Sequence, residues 1–212
     1  LIDSTELIVE TYQHTLGELA GLEVDRQTII AGFGTPLVDN LHRMSPDPSL
    51  VPTMMEHYSE YNARRHDELV TAFPDAHETL TRLREAGVRM AIVTGKRRRY
   101  AMMGLELCEM TSFFDVVVTP ESTTRGKPDP EPVVAALDGL GVSAARALLV
   151  GDSPHDLSAA RAAGVRAAAA LWGPFERPLL AAAEPDYWLE RCSAVVGVVT
   201  ASLGSTRSPS RK

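Results

Sequence analysis

The chain has 212 residues, 44% of them hydrophobic, a size that supports one good core plus a smaller accessory lobe. A formal net charge of −7 argues against a general nucleic-acid surface, and no apolar run approaches the ~20 residues that span a bilayer. Nothing reads as a secretory signal, and two distant cysteines, Cys108 and Cys192, without metal-ligand spacing, point to a reduced, cytoplasmic setting with neither membrane nor nucleic acid as partner.

The first residue is Leu rather than Met, and Leu1-Ile2-Asp3-Ser4 runs straight into a helical pattern, so the start reads as cut. Leu7, Ile8, Thr11, Tyr12, Thr15, Leu16 and Leu19 recur at helical spacing, and Gly21 closes that helix. Asp25 reads as the N-cap of a short helix through Ile30. Gly32-Phe33-Gly34-Thr35-Pro36 breaks it, and a third helix is expected from Pro36 to Met44. Pro46, Pro48 and Pro52 mark a loop, then a long polar helix runs to Val70. Residues 4–72 are thus expected to form an all-helical lobe.

From Phe73 helices and strands alternate, the pattern of a parallel sheet flanked by helices. Strands are expected at Val88–Val93, Phe114–Val118, Ala147–Val150, Val165–Leu171 and Tyr187–Leu189, with helices at Asp75–Ala86, Arg97–Leu107, Glu131–Leu140 and His155–Ala163. Short apolar runs between helices imply strands buried on both faces. The fold class is therefore α/β: residues 73–203 form a Rossmann-like domain, and residues 204–212, rich in Ser, Arg and Pro, form a frayed tail. An inserted lobe normally has its host on both sides, so the host's first strand is expected upstream of Leu1, with residues 1–3 its remnant.

Ligands of open parallel sheets bind at the carboxyl ends of the strands. After Ala91-Ile92-Val93 come Thr94 and Gly95, a hydroxyl and a glycine amide ahead of a helix, readable as an anion site or as an ordinary cap. The basic run Lys96–Arg99 reads as a solvated first turn or as an aid to phosphate attraction. After the second strand, Gly126-Lys127-Pro128-Asp129-Pro130 fixes a lysine in a stiff loop, where it could serve as a point charge for phosphate or lie idle on the surface. After the third, Gly151-Asp152-Ser153-Pro154-His155-Asp156 offers two carboxylates that suit a hard cation, or that merely cap the helix. No Gly-x-Gly-x-x-Gly opens a strand-to-helix turn, which argues against a dinucleotide-binding oxidoreductase.

Thr94, then Lys127-Pro128, then Gly151-Asp152 with Asp156, in that order, resemble motifs two, three and four of the haloacid dehalogenase-like superfamily. The resemblance spans essentially the whole chain, because that family inserts a small helical cap after its first strand. Leu1-Ile2-Asp3-Ser4 matches the stretch just after the family's first motif, Asp-x-Asp-Gly-Thr, whose two aspartates are the nucleophile and the general acid/base. Neither has a counterpart here, so the chain from Leu1 is expected to show little turnover by itself, and Asp3 does not replace them.

The resemblance implies phosphoryl transfer to that aspartate, then hydrolysis. It implies that Thr94 and Gly95 bind the phosphoryl group, that Lys127 neutralises charge, and that Asp152 and Asp156 hold Mg²⁺. Gly34 and Thr35 occupy the position of a substrate-facing cap loop. His66–Val70, the opening around Glu6, and Glu184-Pro185-Asp186-Tyr187 are similar to the bacterial pyrophosphate phosphatases of this superfamily, with the phosphoglycolate phosphatases close by. The implied partner is pyrophosphate or a small phosphorylated metabolite, and the implied assembly is a monomer or weak homodimer. A phosphate-binding protein without catalysis is the alternative.

Overall fold

A computed structural model describes residues 1–205, with side chains through Ala201. It divides into two compact units, one of residues Ile2–Thr71 and one of Leu1 together with the chain from Ala72 onward. No helix among the described residues is long and apolar enough to cross a membrane.

The first unit is helical. After β1 (Ile2–Asp3) come α1 (Thr5–Ala20), α2 (Arg26–Ala31), α3 (Leu37–Met44), a 3-10 turn at Pro48–Leu50 and α4 (Val51–Leu69). β2 (Thr71–Ala72) then pairs with β1. Gly21 ends α1 in the left-handed region, φ 64°, where a side chain would be strained, and donates its N–H to the Gly17 carbonyl at 3.0 Å. Asp25 caps α2 by accepting the Thr28 N–H at 3.0 Å.

Val9, Tyr12 and Leu16 recur along one face of α1 and bury themselves with Ile29, Leu41, Val51 and Met54 from the other three helices. Tyr12 meets Tyr58 edge-on with ring centroids 5.1 Å apart, and burial pushes its phenol up to about 12. Buried Asn40 donates to the Gly32 carbonyl at 2.7 Å, which ties the Gly32–Thr35 turn to α3.

The second unit alternates helix and strand: α5 (Ala76–Glu85), β3 (Ala91–Val93), α6 (Arg98–Leu107), β4 (Val116–Val118), α7 (Glu131–Leu140), β5 (Leu148–Gly151), α8 (Pro154–Ala162), β6 (Arg166–Ala170), α9 (Arg177–Ala181), β7 (Tyr187–Leu189) and α10 (Ala194–Ser205). The pairings β3–β4, β5–β6 and β6–β7 are all parallel, as the alternation predicts. Ala91 pairs with Val116 in β3–β4, Leu148 with Arg166 in β5–β6, and Ala168 with Tyr187 in β6–β7. α7 packs on β3 and β4, α8 packs on β5 and β6, and the two helices touch.

Two expectations need correction. The strands form two ladders, β3–β4 and β5–β6–β7, and among the described residues no ladder joins β3 to β5. Burial on both faces accordingly holds for β6, whose Ala167 to Ala170 are all buried, but not for β3 or β5, where Val150 is 36% exposed. A strand paired along one edge leaves its other edge without cover. The second correction is at the C-terminus: α10 runs through Ser205, past the expected start of the tail, and residues 206–212 lie outside the described residues. Neither α9 nor α10 is legible in the sequence; α10 is apolar through most of its length and lacks the polar face that marks a surface helix.

Candidate active site

The residues singled out after β3, β4 and β5 all lie in the second unit. The Thr94 N–H donates to the Val118 carbonyl at 3.0 Å, carrying the β3–β4 ladder one residue further. Its hydroxyl accepts the Lys96 N–H at 3.1 Å, a turn made by the side chain itself. α6 begins only at Arg98, so Thr94 is not its cap. The end of that helix is taken by Glu121, whose carboxylate accepts the Arg98 N–H at 3.1 and 3.3 Å. A hydrogen bond from Thr119, foremost, holds the Glu121 carboxyl below the usual range. The helix terminus is therefore already neutralised, and beside it lie the Thr94 hydroxyl and the exposed Gly95. Arg97, Arg98 and Arg99 are exposed, as a solvated first turn requires.

Lys127 is held by a stitched loop. Asp129 donates its N–H to the Gly126 carbonyl at 3.0 Å and accepts from Glu131 N–H at 2.9 Å. Glu131 accepts from the backbone N–H groups of Thr124 and Arg125 at 2.8 and 2.9 Å. The Lys127–Pro128 peptide bond is cis. From this loop the Lys127 ammonium donates to the Val93 carbonyl at 2.9 Å and to Asp156 Oδ1 at 2.5 Å. One cation thus joins the carboxyl end of β3 to the first turn of α8.

At the end of β5, Ser153 and Asp156 cap α8 reciprocally. Ser153 Oγ accepts the Asp156 N–H at 3.2 Å, and Asp156 Oδ2 accepts from the Ser153 N–H at 3.2 Å and from its hydroxyl at 2.7 Å. Asp156 therefore gives one oxygen to the cap and the other to Lys127. Asp152 has a different environment. Burial, followed by the neighbouring charge of Asp156, pushes its carboxyl up, while Lys127 acts in the opposite sense.

A hollow lined by Thr94, Gly95, Thr119, Thr123, Gly126 and Lys127 opens beside these groups. Gly34 and Thr35 belong to the helical unit instead, in the turn between α2 and α3, with Gly34 at φ 89°. Among the described residues no three His, Cys, Asp or Glu side chains converge as a metal cluster. Asp152 nevertheless has the donor chemistry that a hard cation takes, a half-buried carboxylate just past the end of β5 with the Asp156 carboxylate four residues on. Asp156, already doubly engaged, fits the supporting position better than the ligand position.

Three participants escape sequence reasoning. The Val93 carbonyl as partner of Lys127 carries no residue-type signal at all. Ser153 is legible as a possible cap but not as the group that orients Asp156. Gly173, after β6, lies so close to Asp152 that a Cβ there would overlap the Asp152 Cβ. A glycine before a proline reads as an ordinary loop residue, which carries no sign of that proximity.

The family profile of haloacid dehalogenase-like hydrolases matches residues 1–170. A protein of Caldanaerobacter subterraneus subsp. tengcongensis carrying the PpaX name is 40% identical over 190 residues, 90% of this chain and 86% of that one. Pyrophosphatase PpaX of Bacillus velezensis is 38% identical over 198 residues, covering 93% and 91%. Among solved structures, a "predicted phosphoglycolate phosphatase" from Haemophilus somnus superposes with a TM-score of 0.85 at 18% identity, covering 93% of this chain and 92% of its own, a likeness of fold alone.

Proposed function

This chain belongs to the haloacid dehalogenase-like hydrolases, and on that premise we propose that it is a Mg²⁺-dependent phosphohydrolase that splits pyrophosphate through an aspartyl-phosphate intermediate. The observation that carries this reading is the Lys127 ammonium, fixed on the Val93 carbonyl and Asp156 at the strand ends with Thr94 and Gly95 lining the same hollow. A fixed cation, a hydroxyl and an exposed amide are the groups that a transferring phosphoryl unit needs, because its transition state spreads charge over the equatorial oxygens.

The nucleophile in this proposal is an aspartate upstream of Leu1, on a further strand; among the described residues β3 and β5 each have a ladder partner along one edge. The carboxylate oxygen of that aspartate bonds to phosphorus as the bridging P–O bond breaks, and a second upstream carboxylic acid protonates the departing phosphate. Water then attacks the phosphorus, giving up a proton to that same carboxylate. The aspartyl P–O bond breaks, which releases phosphate and restores the nucleophile. Thr94 and Gly95 donate hydrogen bonds to the phosphoryl oxygens, and Lys127 neutralises the charge gathered there. Mg²⁺, when bound, offsets the repulsion between anionic nucleophile and phosphate. Asp152 would hold it, with Asp156 keeping Lys127 in place. Gly34 and Thr35 are proposed to bear on which phosphate compound is accepted.

The test is phosphate release by the full-length protein from pyrophosphate and from phosphoglycolate, with Mg²⁺ and with a chelator. Release from pyrophosphate that chelation abolishes is expected. Preference for phosphoglycolate would reassign the substrate, and no release from either would leave a phosphate-binding protein without catalysis.

A further inference from the structure

We propose that Gly173 is a positioning residue, whose missing side chain is what allows the Asp152 carboxylate to occupy its place in the site. The inference rests on the reading of Asp152 as the cation-holding group. A Cβ built on Gly173 would overlap the Asp152 Cβ and stand 2.7 Å from Oδ2 and 2.9 Å from Cγ. The Asp152 Cβ is fixed to the backbone at the end of β5, so it cannot step aside as the tip of a long side chain would.

Backbone conformation does not explain this glycine. Gly173 lies outside the positive-φ region that restricts side chains, and Pro174 after it favours extended conformations open to alanine. Nor can the loop retreat freely. The Leu171 N–H donates to the Leu189 carbonyl at 2.9 Å on one side of Gly173, and Phe175 is buried on the other. The segment after β6 is therefore a wall anchored at both ends, and its one position without a side chain faces Asp152. Gly151 repeats the device at the end of β5: a Cβ there would overlap the Asp156 Cβ. Each of the two acidic residues has a glycine clearing its space.

The test compares Gly173→Ala with a control, Gly197→Ala, where an added Cβ has no neighbour within 4 Å. Mn²⁺ and Mg²⁺ binding to the full-length protein are titrated by calorimetry without substrate. Gly173→Ala is expected to weaken binding about 10-fold or more, the usual cost of disturbing the surroundings of a metal ligand, while Gly197→Ala leaves it unchanged. Melting temperatures supply the second readout, in a cycle with Asp152→Gly, which removes the Cβ that the new methyl group at position 173 would strike. The destabilisation by Gly173→Ala is expected to disappear in the Asp152→Gly background, and a single variant that fails to fold should be rescued by the second change. Wild-type binding retained in Gly173→Ala, or a loss of stability independent of residue 152, would overturn the proposal. Absence of cation binding by the wild-type protein would instead overturn the reading of Asp152, and the melting cycle would still decide whether Gly173 clears its space.

Discussion

Lys127 and Asp156 lie 29 residues apart in sequence and meet at 2.5 Å, with only 15% and 12% of their side chains exposed. The pair spans the two ladders of the second unit, because the same ammonium also holds the carbonyl that ends β3. At this burial an ion pair is weak evidence for stability, since desolvation offsets much of the attraction. Its value in the proposed mechanism lies in geometry: a lysine with two fixed acceptors keeps one donor direction over, and its stem cannot wander.

Removing the ammonium tests the catalytic role of the pair. Lys127→Ala is expected to lower the rate of phosphate release by about 100-fold or more, as for the loss of a fixed transition-state donor. Lys127→Arg is expected to restore little, because a planar fork does not match one carbonyl and one carboxylate oxygen approached by a single nitrogen. Steady-state phosphate release by the full-length enzyme measures both, and a loss of only a fewfold in Lys127→Ala would remove Lys127 from the mechanism.

Asp156 tests the structural role. Asp156→Ala deletes the partner of Ser153 in the cap of α8 and leaves Lys127 against the Val93 carbonyl alone. A stability loss of about 2–4 kcal/mol is expected, from the lost cap and the unpaired charge together. Because the two side chains share one interaction, the Lys127→Ala/Asp156→Ala double variant should lose less than the sum of the single losses. Urea unfolding of the four proteins gives the coupling, and strict additivity would show that the pair contributes nothing jointly.

How much of this is visible in the sequence depends on how local each signal is. Gly21 and Asp25 are legible as helix boundaries because a left-handed terminus and a cap depend on residues within one turn. Thr94, Lys127, Asp152 and Asp156 are legible as candidates because each comes after an apolar run, and strand ends are where such sheets bind ligands. Their partners are not. Lys127 binds a carbonyl 34 residues away, and nothing in the type of Val93 announces an acceptor. The half-exposure of β3 and β5 is equally hidden, since an apolar run states what a strand can bury and not which of its edges finds a neighbour. The cap reading of Thr94 fails because the helix starts later, behind a turn that Thr94 itself makes.

The turn that carries Gly34 and Thr35 depends on a second glycine. A Cβ on Gly32 would stand 2.7 Å from Asn40 Oδ1 and 2.7 Å from an Arg43 guanidinium nitrogen. Asn40 is buried, and its amide holds the Gly32 carbonyl while its oxygen accepts from Arg43 at 2.8 Å. Arg43 can move, but Asn40 can move only by giving up a buried hydrogen bond. Gly32→Ala is therefore expected to destabilise the protein by about 1–3 kcal/mol through overpacking. Denaturant midpoints measure it, and a neutral result would show that Asn40 is not fixed.

Acid should loosen the lysine loop before it unfolds the protein. Hydrogen bonds from backbone N–H groups, of Glu131 foremost for Asp129 and of Thr124 foremost for Glu131, hold both carboxyls below their usual values. A carboxyl whose value is lowered by folding contributes stability that is fully present above its unfolded value, near pH 4, and lost as pH falls through the folded value. At neutral pH both groups are ionised and the loop is stitched; on acidification they take up protons, and the backbone donors of Thr124, Arg125 and Glu131 exchange a charged acceptor for a weaker neutral one. Amide exchange at those three positions, corrected for its intrinsic pH dependence, is expected to keep its protection from pH 7 to about pH 5 and to lose it below about pH 4. Glu131→Gln keeps an acceptor oxygen but no charge, so it should weaken the protection at neutral pH and flatten its acid dependence. Protection that falls equally in the wild type and in Glu131→Gln would mean that these carboxylates do not hold the loop.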